Sequence, residues 1–100
     1  MAIFSKLKQY KELRDQAKEM QTTLAKESVY ADTAGGKIQV MMDGNQAVNG
    51  VSVDPEYLAP NRKTELEKAL KDAFNSAIKK SQMAMAKKAK EMGKLDLPGQ

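Results

Sequence analysis

The residues with the clearest chemical potential in this chain are lysines concentrated near its carboxyl end. Residues 79–94 have the sequence KKSQMAMAKKAKEMGK, in which Glu91 is the one acidic residue. The basic residues of this segment are Lys79, Lys80, Lys87, Lys88, Lys90 and Lys94. A lysine ammonium is a compact positive charge that suits a phosphate oxygen. A segment with so few acidic partners favours binding to a polyanion.

Helical geometry places most of these lysines on one side. At about 100° of rotation per residue, five of the six share an arc of about 100°. The five are Lys79, Lys80, Lys87, Lys90 and Lys94. Lys88 lies off this arc, and the apolar residues Phe74, Ile78, Met85 and Met92 lie roughly opposite it. The alternative remains open that the arc only solvates a surface helix, because charges oppose the apolar face of any such helix.

A second, smaller basic cluster lies near the amino end. Lys11, Arg14 and Lys18 group together, but acidic residues are interleaved with them. We expect this cluster to be a secondary part of the same binding surface. The alternative is that the cluster solvates the helix surface and forms ion pairs at spacings of four residues, because opposite charges at that spacing attract each other on a helix.

The kind of basic residue suggests how a nucleic acid would be bound. Lysine contacts phosphate well but reads base edges poorly, and the chain has two arginines, Arg14 and Arg62. Aromatic residues make up 5% of the chain, which leaves few side chains on which unpaired bases could stack. We therefore predict a weakly sequence-selective, salt-sensitive binder of duplex DNA.

Composition argues against an enzyme. The chain has no Cys and no His, which removes thiolate chemistry and the commonest general base and metal ligand. No glycine-rich phosphate loop is present, and we expect Asp43, Asp54 and Glu56 to serve turns or caps. We predict no catalytic residue, no metal, no cofactor and no small-molecule substrate. The amino end has no apolar run for a signal peptide or membrane span, so we expect a cytoplasmic protein.

The elements that carry these residues can be predicted from hydrophobic periodicity. Residues 3–27 have apolar positions three and four apart and no Gly or Pro, which predicts a helix. Residues 28–54 change to the alternation of strands, and Asp43-Gly44 predicts a hairpin turn because Gly tolerates positive φ. Asp54-Pro55 ends the last strand, since Pro has no amide donor. We expect a small antiparallel sheet of three strands.

Residues 62–92 predict a second long helix, with a loose tail at 93–100. The chain then forms a single α+β domain over residues 1–100. About 28 residues of this helix alone would span roughly 42 Å, whereas a compact domain of this chain's length is roughly 35 Å across. We therefore expect a homodimer with projecting helices. The expected core comprises Leu66, Leu70, Phe74 and Ile78 on the helix, facing Val40, Val51 and Val53 of the sheet.

Four segments of the chain form a recognisable pattern: KQYKELRDQAKEMQTTL, GGKIQVMMDGNQAVNGVSVDPEYL, LEKALKDAFNSAIKKSQ and the Leu97-Pro98-Gly99 near the end. In their order and content they resemble the YbaB/EbfC family of bacterial nucleoid-associated proteins. The third contains Ala73, Phe74, Asn75 and Ala77, which are similar to the core of the family's second helix. The short amino-terminal lead and the early end after Gly99 depart from the family's pattern.

The resemblance implies an α-β-β-β-α protomer, a homodimer whose helices project like the arms of tweezers, and DNA binding in the nucleoid. It implies a role in chromosome organisation, with effects on transcription. It supplies no binding motif, so the expected DNA-contacting residues rest on the charge pattern. Two alternatives stay open. One is a protein-interaction adaptor in replication or repair that uses the exposed Met83, and the other is an RNA binder.

Overall fold

The computed structural model describes residues 2–91, and the burial of side chains from residue 6 onward. Its elements are helix α1 (Ala2–Ala25), strands β1 (Ser28–Thr33), β2 (Ile38–Asp43) and β3 (Val48–Val53), and helix α2 (Lys63–Glu91). Short 3-10 turns lie at Ala34–Gly36, Pro55–Leu58 and Pro60–Arg62. The α+β class and the α-β-β-β-α order are confirmed. The expected tail at 93–100, with Lys94, lies outside the described residues.

Helix α1 projects from the rest of the protomer. Its side chains from residue 6 to residue 19 are all exposed, and the first one that is fully buried is Leu24. The molecule is accordingly elongated, with extents of 69 × 26 × 20 Å and a radius of gyration of 19.2 Å. A compact chain of this length has a radius of gyration of about 13 Å.

Helix α1 ends two residues before the expected boundary at Glu27. The backbone amides of Lys26 and Glu27 bond three residues back, to the carbonyls of Thr23 and Leu24, and so tighten the last turn. The amide of Gly44 also donates to the Leu24 carbonyl, at 2.9 Å. This end of the helix is therefore fixed against the turn between β2 and β3.

The sheet is antiparallel with the order β1-β2-β3. Val40 in the central strand lies opposite Ala31 on one side and Val51 on the other, so these three side chains share one face. A bulge between Met41 and Met42 shifts the β2–β3 register. This shift brings Val48 opposite Met42.

The hairpin between β2 and β3 is confirmed, but our reason for Gly44 is wrong. The positive φ of this turn belongs to Gln46, at 66°. Gly44 is required by close approach instead, because a Cβ there would lie 2.8 Å from Leu24 Cδ2. The Asp43 carboxylate accepts hydrogen bonds from the amides of Asn45 (2.8 Å) and Ala47 (3.0 Å), as expected for a turn aspartate.

Helix α2 begins at Lys63, one residue later than expected, because Pro60–Arg62 forms a separate 3-10 turn. It packs on β1 and β2 through small residues, Ala73, Ala77 and Ser81, which are fully buried. The hydroxyl of Ser81 donates to the Asp43 carbonyl at 2.8 Å, which satisfies this buried polar group. The predicted core residues Leu66, Leu70, Phe74 and Ile78 are partly buried against this cluster.

The prediction that Val51 belongs to the core is wrong within the protomer. Val40 is 0% exposed, whereas Val51 beside it is 48% exposed. The reason is the position of α2, which lies over β1 and β2 and leaves β3 without a covering layer. Val53, also on β3, is only partly buried against the core.

Candidate nucleic-acid interface

The basic arc of α2 is formed by the carboxyl-terminal half of the helix. Lys79, Lys87 and Lys90 are all exposed. Among residues 2–91 no salt bridge involves any of the three. Their ammonium groups therefore have no acidic side chain to displace before contacting an anion, as the lack of acidic neighbours in the sequence indicated.

Lys80 differs from the other lysines of the arc. Its Nζ atom donates to the backbone carbonyl of Tyr30 at 2.6 Å, so it reaches across to the outer strand β1. Lys80 therefore forms the border of the arc beside the sheet, through a contact that no local sequence pattern could reveal. The side chain of Tyr30 stays a neutral phenol, because loss of hydration, and then the nearby carboxylate of Asp32, raise its pKa.

Lys88 has a structural partner instead of a free ammonium. It lies 3.0 Å from a carboxylate oxygen of Glu27 and 3.4 Å from one of Glu91. Hydrogen bonds to Glu27 and then to Glu91 raise the pKa of Lys88. The pair with Glu27 joins α2 to the chain just after α1, and so Lys88 links the two helices.

The smaller basic cluster lies on the projecting part of α1, where Lys11, Arg14 and Lys18 are exposed. Among residues 2–91 no salt bridge involves any member of this cluster, so the expected ion pairing is not seen there, and solvation of the helix surface stays an open alternative. Helix α1 approaches α2 along its carboxyl-terminal part, where Ala17, Met20 and Leu24 line a cleft together with Met85 and Ala89.

A third basic group is neutralised internally. Glu56 accepts from Lys37 at 2.7 Å and from Arg62 at 3.0 Å, and Arg62 also bonds Glu65 at 2.9 Å. The hydrogen bonds from Lys37 and then Arg62 lower the pKa of Glu56. Arg62 also stacks over the Tyr57 ring, 4.3 Å from its centroid. The expectation of turn chemistry is met by Asp54, whose carboxylate accepts from the Glu56 amide, whereas Glu56 itself forms ion pairs.

Two kinds of apolar surface were not apparent from the sequence. On α1, the side chains of Leu7, Tyr10 and Leu13 are exposed. Nearer the end of that helix, a cleft of about 480 Å³ opens between α1 and α2 and is lined mainly by apolar residues such as Met20 and Met85. Helical periodicity in the sequence predicts that these apolar residues share a face of a helix. It does not predict which of them are buried within the protomer.

The described part of the chain contains neither a metal-ligand cluster nor a membrane-spanning helix. Residues 2–91 contain no group of three or more acidic, His or Cys residues that could hold a metal ion. Nor is any helix in this part both long and apolar enough to pass through a bilayer.

The fold and the basic arc define a small α+β protein with a cationic helical surface. Residues 2–95 match the model of the YbaB/EbfC DNA-binding family, and the chain belongs to that family. It is 35% identical over 97 residues to a nucleoid-associated protein of Syntrophobacter fumaroxidans, covering 96% of this chain and 88% of the relative. It is 37% identical over 93 residues to one of Rhodopseudomonas palustris, covering 92% and 88%.

The fold also has a counterpart among solved structures. The crystal structure of an uncharacterized protein from Helicobacter pylori, HP0035, superposes with a TM-score of 0.68. The match covers 83% of this chain and 96% of that one at 16% sequence identity. At this identity the similarity establishes the fold alone.

Proposed function

We propose that the protein binds duplex DNA with low sequence selectivity, through phosphate contacts from lysines on its helices. The observation that carries the proposal is the exposed arc of Lys79, Lys87 and Lys90, none of which has an ion-pair partner among residues 2–91. Lys80 extends the arc, and Lys94, which lies outside the described residues, remains a contact expected from the sequence alone. Lys11, Arg14 and Lys18 on α1 provide a second, weaker contact.

The relatives support a place in the cell for this activity. Those from Syntrophobacter and Rhodopseudomonas carry the name nucleoid-associated protein. We place this protein likewise in the nucleoid of the cytoplasm, where it organises the chromosome and affects transcription. Phosphate contacts suit this role because they are made at any sequence along the DNA.

The protein acts as a homodimer in this proposal. Strand β3 has a free edge, and its valines Val48 and Val51 are each 48% exposed on the face that α2 covers elsewhere. The flank of α2 that carries Phe74 and Ile78 faces β3, because Lys80 on the opposite flank reaches β1. A second copy seated on this flank and on β3 would bury the exposed valines and present two basic arcs to the DNA.

The test is fluorescence anisotropy with a random-sequence duplex, titrated at several salt concentrations. The variant Lys79→Gln/Lys87→Gln/Lys90→Gln removes the unpaired charges of the arc. The matched control, Lys63→Gln/Lys68→Gln/Lys71→Gln, removes the same charge from the amino-terminal half of α2. We expect the arc variant to lower the slope of log affinity against log salt by roughly 2–3 per protomer, and the control to change it much less.

Four results would contradict the proposal. The wild-type protein could fail to bind DNA even at low salt, or both triple variants could lower the slope equally, which would make net charge the cause. Tighter binding to structured RNA of the same length would favour the RNA alternative. The adaptor alternative would appear instead as a protein complex that survives high salt, because salt screens charges and not apolar contacts.

A further inference from the structure

An exposed methionine lies in the middle of the basic arc. Met83 is 70% exposed, although methionine is normally a core residue. With Met83 set at 0°, Lys79 and Lys90 lie at about −40° and −20°, and Lys87 and Lys80 at about +40° and +60°. One thioether therefore has two lysines on each side of it on the helix surface.

This order of side chains fits a helix lying in a groove between two phosphate backbones. The major groove of B-DNA is about 12 Å wide and admits an α-helix. A helix seated there turns the middle of its exposed face to the base edges and the borders of that face to the two backbones. On α2 the middle residue of this face is apolar and would lie against the base edges. The border residues are cationic and would lie against the two phosphate backbones.

We infer that the carboxyl-terminal half of α2 lies in the DNA major groove with Met83 against the base edges, where it favours thymine. This inference rests on the proposed function. The proposed phosphate contacts do not say which groove the helix occupies or which residue faces the bases, and this inference names both. Thymine is the base whose C5-methyl group offers an apolar surface in the major groove. The Met83 thioether can bury that methyl but cannot satisfy the polar edge of a guanine or cytosine.

The preference is a bias and not a site-specific recognition. Removing one methyl group from an apolar contact lowers affinity by roughly two- to fourfold. Low sequence selectivity is therefore compatible with a modest enrichment on DNA rich in thymine. The geometry also disfavours duplex RNA, because its major groove is too deep and narrow for a helix.

The test replaces thymine by deoxyuridine, which removes the C5-methyl and keeps the base pair. Anisotropy titrations would compare the same sequence, rich in A·T pairs, with and without this replacement. We expect the wild-type protein to bind the uracil duplex roughly two- to fourfold more weakly. Met83→Ala should bind both duplexes equally, and Met83→Leu should retain the discrimination.

We expect neither substitution of Met83 to unfold the protein, so a change in DNA binding can be assigned to the Met83 side chain. Ala and Leu are good helix formers, and Met83 is exposed in the middle of α2, so circular dichroism should be unchanged. The arc variant Lys79→Gln/Lys87→Gln/Lys90→Gln is the complementary control. It should weaken binding to both duplexes and keep their ratio.

The outcomes separate this inference from the proposed function. If the wild-type protein binds with a steep salt dependence but equally to both duplexes, the placement of Met83 is overturned while phosphate binding stands. A discrimination that persists in Met83→Ala also overturns it. Absence of binding to either duplex at low salt overturns the proposed function, and this inference with it.

Discussion

Val40 and Val51 lie directly opposite each other on neighbouring strands, yet one is 0% exposed and the other 48%. Their side chains share a face of the sheet, so the difference comes from the helix above them. Helix α2 covers β1 and β2 and leaves β3 uncovered. The boundary of the covering layer therefore runs between these two valines, and it separates the core of the protomer from the surface that we propose a second copy covers.

Replacing Val51 with a charged residue should disrupt the homodimer that we propose without unfolding the protomer. Val51→Lys places an ammonium on the exposed apolar face, where burial against a second copy would be costly. We expect sedimentation to change from a dimer to a monomer of 11.0 kDa, with the circular dichroism spectrum retained. The control is Ser52→Lys, an exposed position on the opposite face of β3. A wild-type protein that sediments as a monomer would contradict the prediction.

Adding a methyl group at Gly44 should loosen the attachment of α1. A Cβ at this position would lie 2.8 Å from Leu24 Cδ2 and 2.9 Å from the Leu24 carbonyl oxygen, so the turn and the helix end must separate. We expect Gly44→Ala to lower the free energy of unfolding by about 1–3 kcal/mol in urea titrations. Gly50→Ala is the control, because there the added group meets only the flexible end of Met41 at 3.0 Å. Equal losses in the two variants would refute the packing argument.

Ser81→Ala should destabilise the protein although alanine is the better helix former. The Ser81 hydroxyl is fully buried and donates to the Asp43 carbonyl at 2.8 Å. Its removal should lower the free energy of unfolding by about 1 kcal/mol, measured by denaturant titration. Ser76→Ala on the same helix makes the same change in helix propensity at a half-buried site where no hydrogen bond of the side chain is found in residues 2–91. We expect that variant to be neutral or more stable.

The ion pairs of Glu56 should make stability depend on acid pH. Its pKa is lowered by Lys37 and Arg62, so the carboxylate stabilises the fold above its unfolded value of 4.5. That contribution is lost as pH falls through the lower folded value. We expect Glu56→Gln to lower the Tm at neutral pH, with the difference from wild type shrinking as the pH falls below 4.5. Thermal unfolding followed across this range would measure it.

The control for that experiment is Glu67→Gln, since Glu67 is exposed and no salt bridge in the described residues involves it. Its Tm should follow that of the wild-type protein at every pH. A Tm difference for Glu56→Gln that stays constant from neutral to acid pH would show that the carboxylate charge is not the cause.

Hydrophobic periodicity was sufficient to predict the elements and their order, because it depends on neighbours within a few residues. It predicted that Val40 and Val51 share a face, but not which strand α2 would leave uncovered. Local charge likewise predicted the arc containing Lys79 and Lys87. It could not predict that Lys80 bonds Tyr30, because that contact joins residues 50 positions apart. Long-range packing decides both which strand α2 leaves uncovered and which group Lys80 bonds, and no short sequence pattern encodes this packing.

The attachment of α1 at one end makes this helix a lever. Its fixed point is the contact of Leu24 with Gly44, and its first residues lie about 33 Å away along the axis. A rotation of about 10° at the fixed point would carry the tip through about 6 Å, half the width of a major groove. In the complex with DNA that we propose, such a rotation would change the span between the basic clusters of α1 and α2, and one protein would then fit DNA of different curvature.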